Sequence, residues 1–108
     1  MKPQNVSLEG KTILVTGAAG FIGSNLVLEL LRTTTTIHIV GIDNMNDYYD
    51  VSIKEYRLTQ IEKEVAKHNN SSWTFFKNSI ADKEIINKIF SEYKPAVVVN
   101  LAAQAGVR

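Results

Sequence analysis

The sequence predicts an α/β fold built on a parallel sheet, and two observations predict it. Four short runs rich in β-branched and aromatic residues, "KTILVTG", "IHIVGID", "WTFFK" and "AVVVNL", alternate with three stretches whose apolar residues recur at helical spacing. The first run ends on a glycine and carries apolar residues at consecutive positions, as a strand buried on both faces does. Strands that alternate with helices in this way pair in parallel through right-handed crossovers. The order is βαβαβαβ.

Each element has its own local reason. From Gly20 to about Arg32, "GFIGSNLVLELLR" repeats Leu, Val and Ile at helical spacing. The threonines at 33–36 end that helix, because stacked β-branched side chains lose χ1 freedom against the preceding turn. The polar stretch "NMNDYYD" follows the second strand and leads into a helix from about Val51 to Lys67. Val51, Leu58, Ile61 and Val65 are expected on its inner face, with Lys54, Glu55, Glu62 and Lys63 mostly opposite. "NNSS" breaks this helix before the third strand. Asp82 is a candidate cap for the third helix, whose apolar stripe is Ile85, Ile86, Ile89 and Phe90. Pro95 closes that region ahead of the fourth strand.

Composition narrows the function classes. The 108 residues suit one domain, and neither an internal repeat nor a linker divides them. A net charge of +1 gives no electrostatic case for nucleic acid or an anionic membrane. No apolar run approaches the length of a membrane span, and "MKPQNVSLEG" has no apolar core of a signal peptide. The absence of cysteine excludes disulfides, thiolate metal sites and a cysteine nucleophile, and suits a reducing, cytoplasmic compartment. No metal site is expected, and the sequons at Asn5, Asn69 and Asn70 are read as chance.

The chemistry gathers at "VTGAAGFIG", where Gly17, Gly20 and Gly23 fall between a strand and a helix. At Gly17 the chain turns out of the strand through a conformation that strains a side chain. At Gly20 a missing Cβ lets the backbone approach a pyrophosphate held by amide groups at the helix N-terminus. Gly23, one turn on, lets helix and strand pack closely. A tight turn with no ligand is the plainer alternative; a Walker A loop is not, because no Lys-Ser or Lys-Thr follows the glycines. Asp43 ends the second strand, twenty residues after Gly23, the spacing of an acid that binds a ribose 2′-hydroxyl. A carboxylate there repels a 2′-phosphate, and the nearest downstream arginine is Arg57, so NAD is favoured over NADP. The predicted fold is thus a partial Rossmann-type sheet of strand order 3-2-1-4.

The spacing G-x-x-G-x-x-G resembles the extended short-chain dehydrogenases/reductases, the NAD-dependent epimerases and dehydratases of sugar nucleotides. "GIDNMNDYYDVSIKEYRL" and "NLAAQAGVR" are similar to the second strand with its loop, and the fourth strand with its loop, in the UDP-glucuronate 4-epimerase group. The resemblance runs from about Lys11 to Arg108. It implies that Gly17, Gly20, Phe21 and Ile22 line the pyrophosphate, and that Asp43 and Asn44 hold the adenosine ribose. It further implies that Leu101, Ala102, Ala103 and Gln104 pass under NAD toward its nicotinamide end. Where the family commonly reads adenine with Asp and an aliphatic residue, this chain has Ser79 and Ile80, so a hydroxyl replaces a charge. Asn100 stands where a histidine is frequent, and Arg108 is a candidate for a sugar carboxylate or phosphate.

The same resemblance implies oxidation at sugar C4 by NAD, rotation of the keto sugar and return of hydride to the other face. Its base is a tyrosine in Tyr-x-x-x-Lys, and no tyrosine here has a lysine four residues on: Tyr48, Tyr49, Tyr56 and Tyr93 are followed by Ser52, Ile53, Gln60 and Val97. His38, in a strand, and His68, at a helix end, are read as structural or solvated. Residues 1–108 are therefore expected to be the N-terminal part of the NAD-binding domain of a longer UDP-sugar epimerase, with residues 1–10 flexible. The catalytic and substrate-binding parts would lie downstream, leaving this part inactive by itself. With helices missing from one face, self-association through the fourth strand's edge is expected, and a homodimer stays open. Another sugar-nucleotide decarboxylase or dehydratase, and a nucleotide-binding module with no catalytic half, are the alternatives.

Overall fold

A computed structural model describes residues 8–45 and 51–101, with the backbone alone at Val51. Its elements are β1 (Thr12–Thr16), α1 (Phe21–Thr33), β2 (His38–Ile42), α2 (Val51–Val65), β3 (Ser72–Phe76), α3 (Lys83–Tyr93) and β4 (Val97–Asn100). The four strands form one parallel sheet in the order β3-β2-β1-β4, as expected. β1 lies between β2 and β4, so the chain reverses its direction of winding beside β1. In such sheets ligands bind at that reversal, outside the carboxyl ends of the strands.

The two faces of the sheet carry separate cores. Ile13, Val15, Ile37 and Ile39 point to one face, where α1 contributes Val27 and Leu31 and α2 contributes Ile61. Gly41 belongs to this face as well. A Cβ there would meet the Trp73 ring at 2.4 Å, so the glycine makes room for the indole. Leu14, Val40 and Ile42 point to the other face, where α3 supplies Ile89, with Ile85 and Ile86 beside it. Since α3 covers only part of this face, Val98 on β4 stays 46% exposed and Phe90 45% exposed. Phe90 thus departs from the expected apolar stripe and stays outside the cluster that Ile85, Ile86 and Ile89 join.

Helix ends show how local chemistry sets the boundaries. Asp82 caps α3, its Oδ1 accepting the Glu84 and Ile85 amides at 3.1 and 3.3 Å. Lys94 then closes the helix in the left-handed region, at φ 46°, just before Pro95. Helix α1 runs one residue past Arg32, and its threonines act differently from expectation. Thr33 and Thr34 donate their hydroxyls back to the Glu29 and Leu30 carbonyls, and the Thr34 amide donates to Leu30 as well, so side chain and backbone together close the last turn. Glu9 ties the described N-terminal residues to this connection, its carboxylate accepting from the Thr35 and Thr36 amides.

Helix α2 stops at Val65, two residues short of the expected end. Its inner face holds Leu58, Ile61 and Val65 as expected, and also Glu64, which is 8% exposed. Glu64 receives His68 Nε2 at 2.9 Å and Arg32 Nε at 3.2 Å, linking α2 to α1. The hydrogen bond from His68, then that from Arg32, holds its carboxyl below the usual 4.5 against the opposing effect of burial. Among the described residues, no helix is long and apolar enough to cross a membrane.

Candidate functional site

The carboxyl ends of β1, β2, β3 and β4 all open onto one edge of the parallel sheet, and the connections there carry the expected site residues. β1 runs straight into the glycine turn. Gly17 sits at φ 70°, a conformation that favours glycine, and its amide donates to the Ile42 carbonyl at 2.8 Å. Gly20 is the N-cap of α1 and offers no side-chain cap. The amides of Phe21, Ile22 and Gly23, which begin the helix, have no hydrogen-bond partner among the described residues. Three adjacent N–H groups at the positive end of a helix make a receptor for an anion.

The missing side chains shape the approach to these amides. A Cβ at Gly20 would meet only the Gly17 carbonyl oxygen, at 3.2 Å, so its other side is open. A Cβ at Gly23 would lie 2.1 Å from that same oxygen, so Gly23 is a packing glycine that brings α1 against the turn. Phe21 and Ile22 are exposed, at 68% and 66%. Ala18, Ala19 and Gly23 are buried and Gly17 and Gly20 half-buried, so the open approach to the amides runs past Gly20, Phe21 and Ile22.

Asp43 lies beside the turn with its carboxylate already engaged. Oδ2 accepts the Ala19 amide at 3.0 Å, and Oδ1 accepts the Met45 amide at 2.8 Å and Lys54 Nζ at 2.9 Å. A carboxylate has about four acceptor positions, so capacity remains for a further donor. Asp43 is nonetheless 5% exposed, and its first task is to shape the loop. Met45, held at φ 63°, is part of the cost of that shape.

Lys54 corrects the sequence reading, which placed it on the solvated face of α2. It stands four residues before Leu58, seven before Ile61 and eleven before Val65, which is the buried stripe itself. A charge on a buried stripe signals a buried partner, and that partner is Asp43. Arg57 lies fourteen residues after Asp43, a separation that hides its place beside the turn. One helical turn beyond Lys54, it donates to the Ala19 carbonyl at 3.3 Å and stands 5.8 Å from the centre of the Phe21 ring. Two cations therefore flank a turn expected to receive an anion.

The β4 side is joined to the turn by a polar cross-link. Thr16 donates its hydroxyl to Asn100 Oδ1 at 2.5 Å, and the Leu101 amide donates to the same hydroxyl oxygen at 2.9 Å. Leu101 is 38% exposed where the strand leaves the sheet. Ala102, Ala103, Gln104 and Arg108 lie outside the described residues, as do Tyr48 and Tyr49. On the β3 side, the Ser79 hydroxyl oxygen accepts the Ala81 amide at 3.0 Å, and Ile80 packs against the core under α3. Asn44 is exposed directly after Asp43. Both histidines are used elsewhere: His38 with Ser72, at the opposite end of β2, and His68 with Glu64.

The chain has counterparts among known proteins. The family model described as GDP-mannose 4,6 dehydratase matches residues 14–108. The chain belongs to that family, among the short-chain dehydrogenase/reductase epimerases and dehydratases. It is 47% identical over 96 residues to Protein CapI of Staphylococcus aureus, covering 89% of this chain and 26% of that protein. It is 40% identical over 99 residues to UDP-glucuronate 4-epimerase 4 of Arabidopsis thaliana, covering 92% of this chain and 21% of that protein. Among solved structures, UDP-glucuronic acid 4-epimerase from Bacillus cereus in complex with NAD superposes at TM-score 0.67 and 30% identity, over 90% of this chain and 28% of that one. The dTDP-glucose 4,6-dehydratase from Bacillus anthracis, also in complex with NAD, superposes at TM-score 0.68 and 31% identity, over 89% of this chain and 28% of that one. The chain spans about a quarter of the length of the curated relatives it matches.

Proposed function

We propose that this chain is the NAD-binding part of a sugar-nucleotide epimerase resembling the UDP-glucuronate 4-epimerases. The observation that carries the reading is the set of unpartnered amides at Phe21, Ile22 and Gly23 beside Gly20, flanked by Lys54 and Arg57. A dinucleotide fits this cradle chemically. Its pyrophosphate brings negative charge to a helix N-terminus and to two cations, and Gly20 has no Cβ to hold it away. Asp43, with Asn44 and Lys54 beside it, would take the adenosine ribose, while Ser79 and Ile80 would meet adenine. Leu101, with Ala102, Ala103 and Gln104 after it, would underlie the nicotinamide end, and Arg108 is the candidate for the sugar's acidic group.

NAD, when bound, supplies transient oxidation and reduction at a sugar carbon. The residues of this chain bind it and fix its direction, from the acid after β2 across α1 toward β4. They provide no Tyr-x-x-x-Lys, so the proton transfers belong to a part of the protein beyond these 108 residues. A UDP-sugar is the proposed substrate of the whole protein. The lack of cysteine fits a cytoplasmic setting.

Calorimetric titration of the full natural chain with NAD, followed by chromatographic assay of UDP-glucuronate conversion to its C4 epimer, tests both halves. Absence of NAD affinity in folded protein would remove the binding half. NAD affinity with loss of water from a sugar nucleotide, and no epimer, would favour a dehydratase, the second reading, which rests on the matched family and the 31% identity to dTDP-glucose 4,6-dehydratase.

A further inference from the structure

Two successive peptide groups of the glycine turn are held from outside it. The Ala19 amide donates to Asp43 Oδ2 at 3.0 Å, and the Ala19 carbonyl accepts from Arg57 Nη1 at 3.3 Å. The other end of the Ala19–Gly20 peptide, the Gly20 amide, donates to the Gly17 carbonyl at 3.0 Å. Both polar atoms of that peptide are therefore engaged, one of them by Arg57. The guanidinium also stands 5.8 Å from the centre of the Phe21 ring, so Arg57 contacts the residues on either side of Gly20.

Gly20 is the place where the turn can lose its shape. Its φ is −74° and its ψ 172° at the N-cap of α1. Turning the Ala19–Gly20 peptide over would drive φ at residue 20 positive, which glycine alone accepts with little penalty. That motion would break the bonds at both ends of the peptide and change the entry into α1. The alignment of the Phe21, Ile22 and Gly23 amides depends on that entry.

We propose that Arg57 is a positioning residue of the dinucleotide site, locking the Ala19–Gly20 peptide in the orientation that aligns three free amides on the pyrophosphate. The proposal rests on the turn being an NAD site, and it adds a residue that acts through the backbone. Arginine suits the task because its planar fork donates to a carbonyl while its face lies on an aromatic ring; a lysine ammonium cannot do both. Lys54, bound to Asp43, holds the neighbouring peptide indirectly from the same helix.

The test compares wild type, Arg57→Gln and Arg57→Lys in the full natural chain. Peptide-resolved hydrogen exchange over residues 16–23, Tm and the calorimetric Kd for NAD are measured. In both variants, exchange over the turn should accelerate about tenfold and the Kd for NAD rise about tenfold, while Tm stays within about 3 °C. Unchanged exchange over the turn overturns the proposal, whatever NAD does. So does an Arg57→Lys protein with wild-type affinity and fast turn exchange, since charge alone would then suffice. General loss of protection across the chain also overturns it, because Arg57 would then hold the fold and not the turn. If wild type binds no NAD yet the local acceleration appears, the lock stands and the NAD site fails.

Discussion

Gly23→Ala is the substitution that the packing opposes most directly. The added Cβ would lie 2.1 Å from the Gly17 carbonyl oxygen, 2.9 Å from its carbon and 3.1 Å from Ala18 Cα. All three are backbone atoms of a turn whose first residue sits at φ 70°. No side-chain rotation relieves such a clash, so α1 or the turn must move by roughly 1 Å. Moving α1 lifts Val27 and Leu31, both fully buried, from the sheet. Overpacking of this kind costs about 1–3 kcal/mol, and the better helix propensity of alanine offsets about 1 kcal/mol. With rigid backbone on the other side the upper part of the range applies, leaving about 1–2 kcal/mol. In a chain of this size Tm should fall by about 4–16 °C, read by scanning calorimetry. Gly20→Ala is the internal comparison. Its Cβ would touch one atom at 3.2 Å and its φ of −74° suits any residue, so Tm should hold within about 4 °C while NAD affinity falls. A Gly23→Ala protein melting at or above wild type would refute the close approach of helix to turn.

Three further predictions concern polar side-chain contacts. Thr16→Val removes the hydroxyl that joins Asn100 and the Leu101 amide to β1; it should destabilise by about 1 kcal/mol and speed exchange at Leu101, and unaltered exchange there would count against the cross-link. Asp82→Ala should cost about 1 kcal/mol by uncapping α3, and a urea midpoint equal to wild type would remove the cap from the account. For Glu64, the folded-state carboxyl lies below its ordinary 4.5, so its stabilising effect is complete above that pH and is lost as pH falls through the lowered folded value. The Tm gap between wild type and Glu64→Gln should therefore shrink on acidification below about pH 4.5; a gap that stays constant down to pH 3 would dismiss the Arg32–Glu64–His68 link between helices.

The carboxyl edge of the sheet explains why some residues were legible and others were not. Gly17, Gly20 and Gly23 announce themselves because each meets a local demand: a positive φ, a close approach, a helix pressed on a turn. Asp82 was legible for a similar reason, since a cap bonds to amides two and three residues ahead. Lys54 falls on the Leu58–Ile61–Val65 stripe, but an apolar pattern does not show a buried charge whose partner lies on another element. Arg57 is far from Asp43 along the chain, and the distance that matters runs across the gap between a helix and a turn. Phe90 shares helical spacing with Ile86 and Ile89, yet spacing does not show how far the core reaches, and it stays exposed.

By itself, then, the sequence determined the order of elements, the parallel sheet and the glycine turn. These follow from periodicity, propensity and the steric freedom of glycine, which act over a few neighbouring residues. Tertiary structure alone decided which charges meet. Packing α2 beside the β2 end delivers Lys54 to Asp43 and Arg57 to Ala19, and pairing β1 with β4 closes Thr16 on Asn100 across 84 residues. Side-chain charges act through space, and the spacing of residues along the chain does not record those distances until the chain has folded.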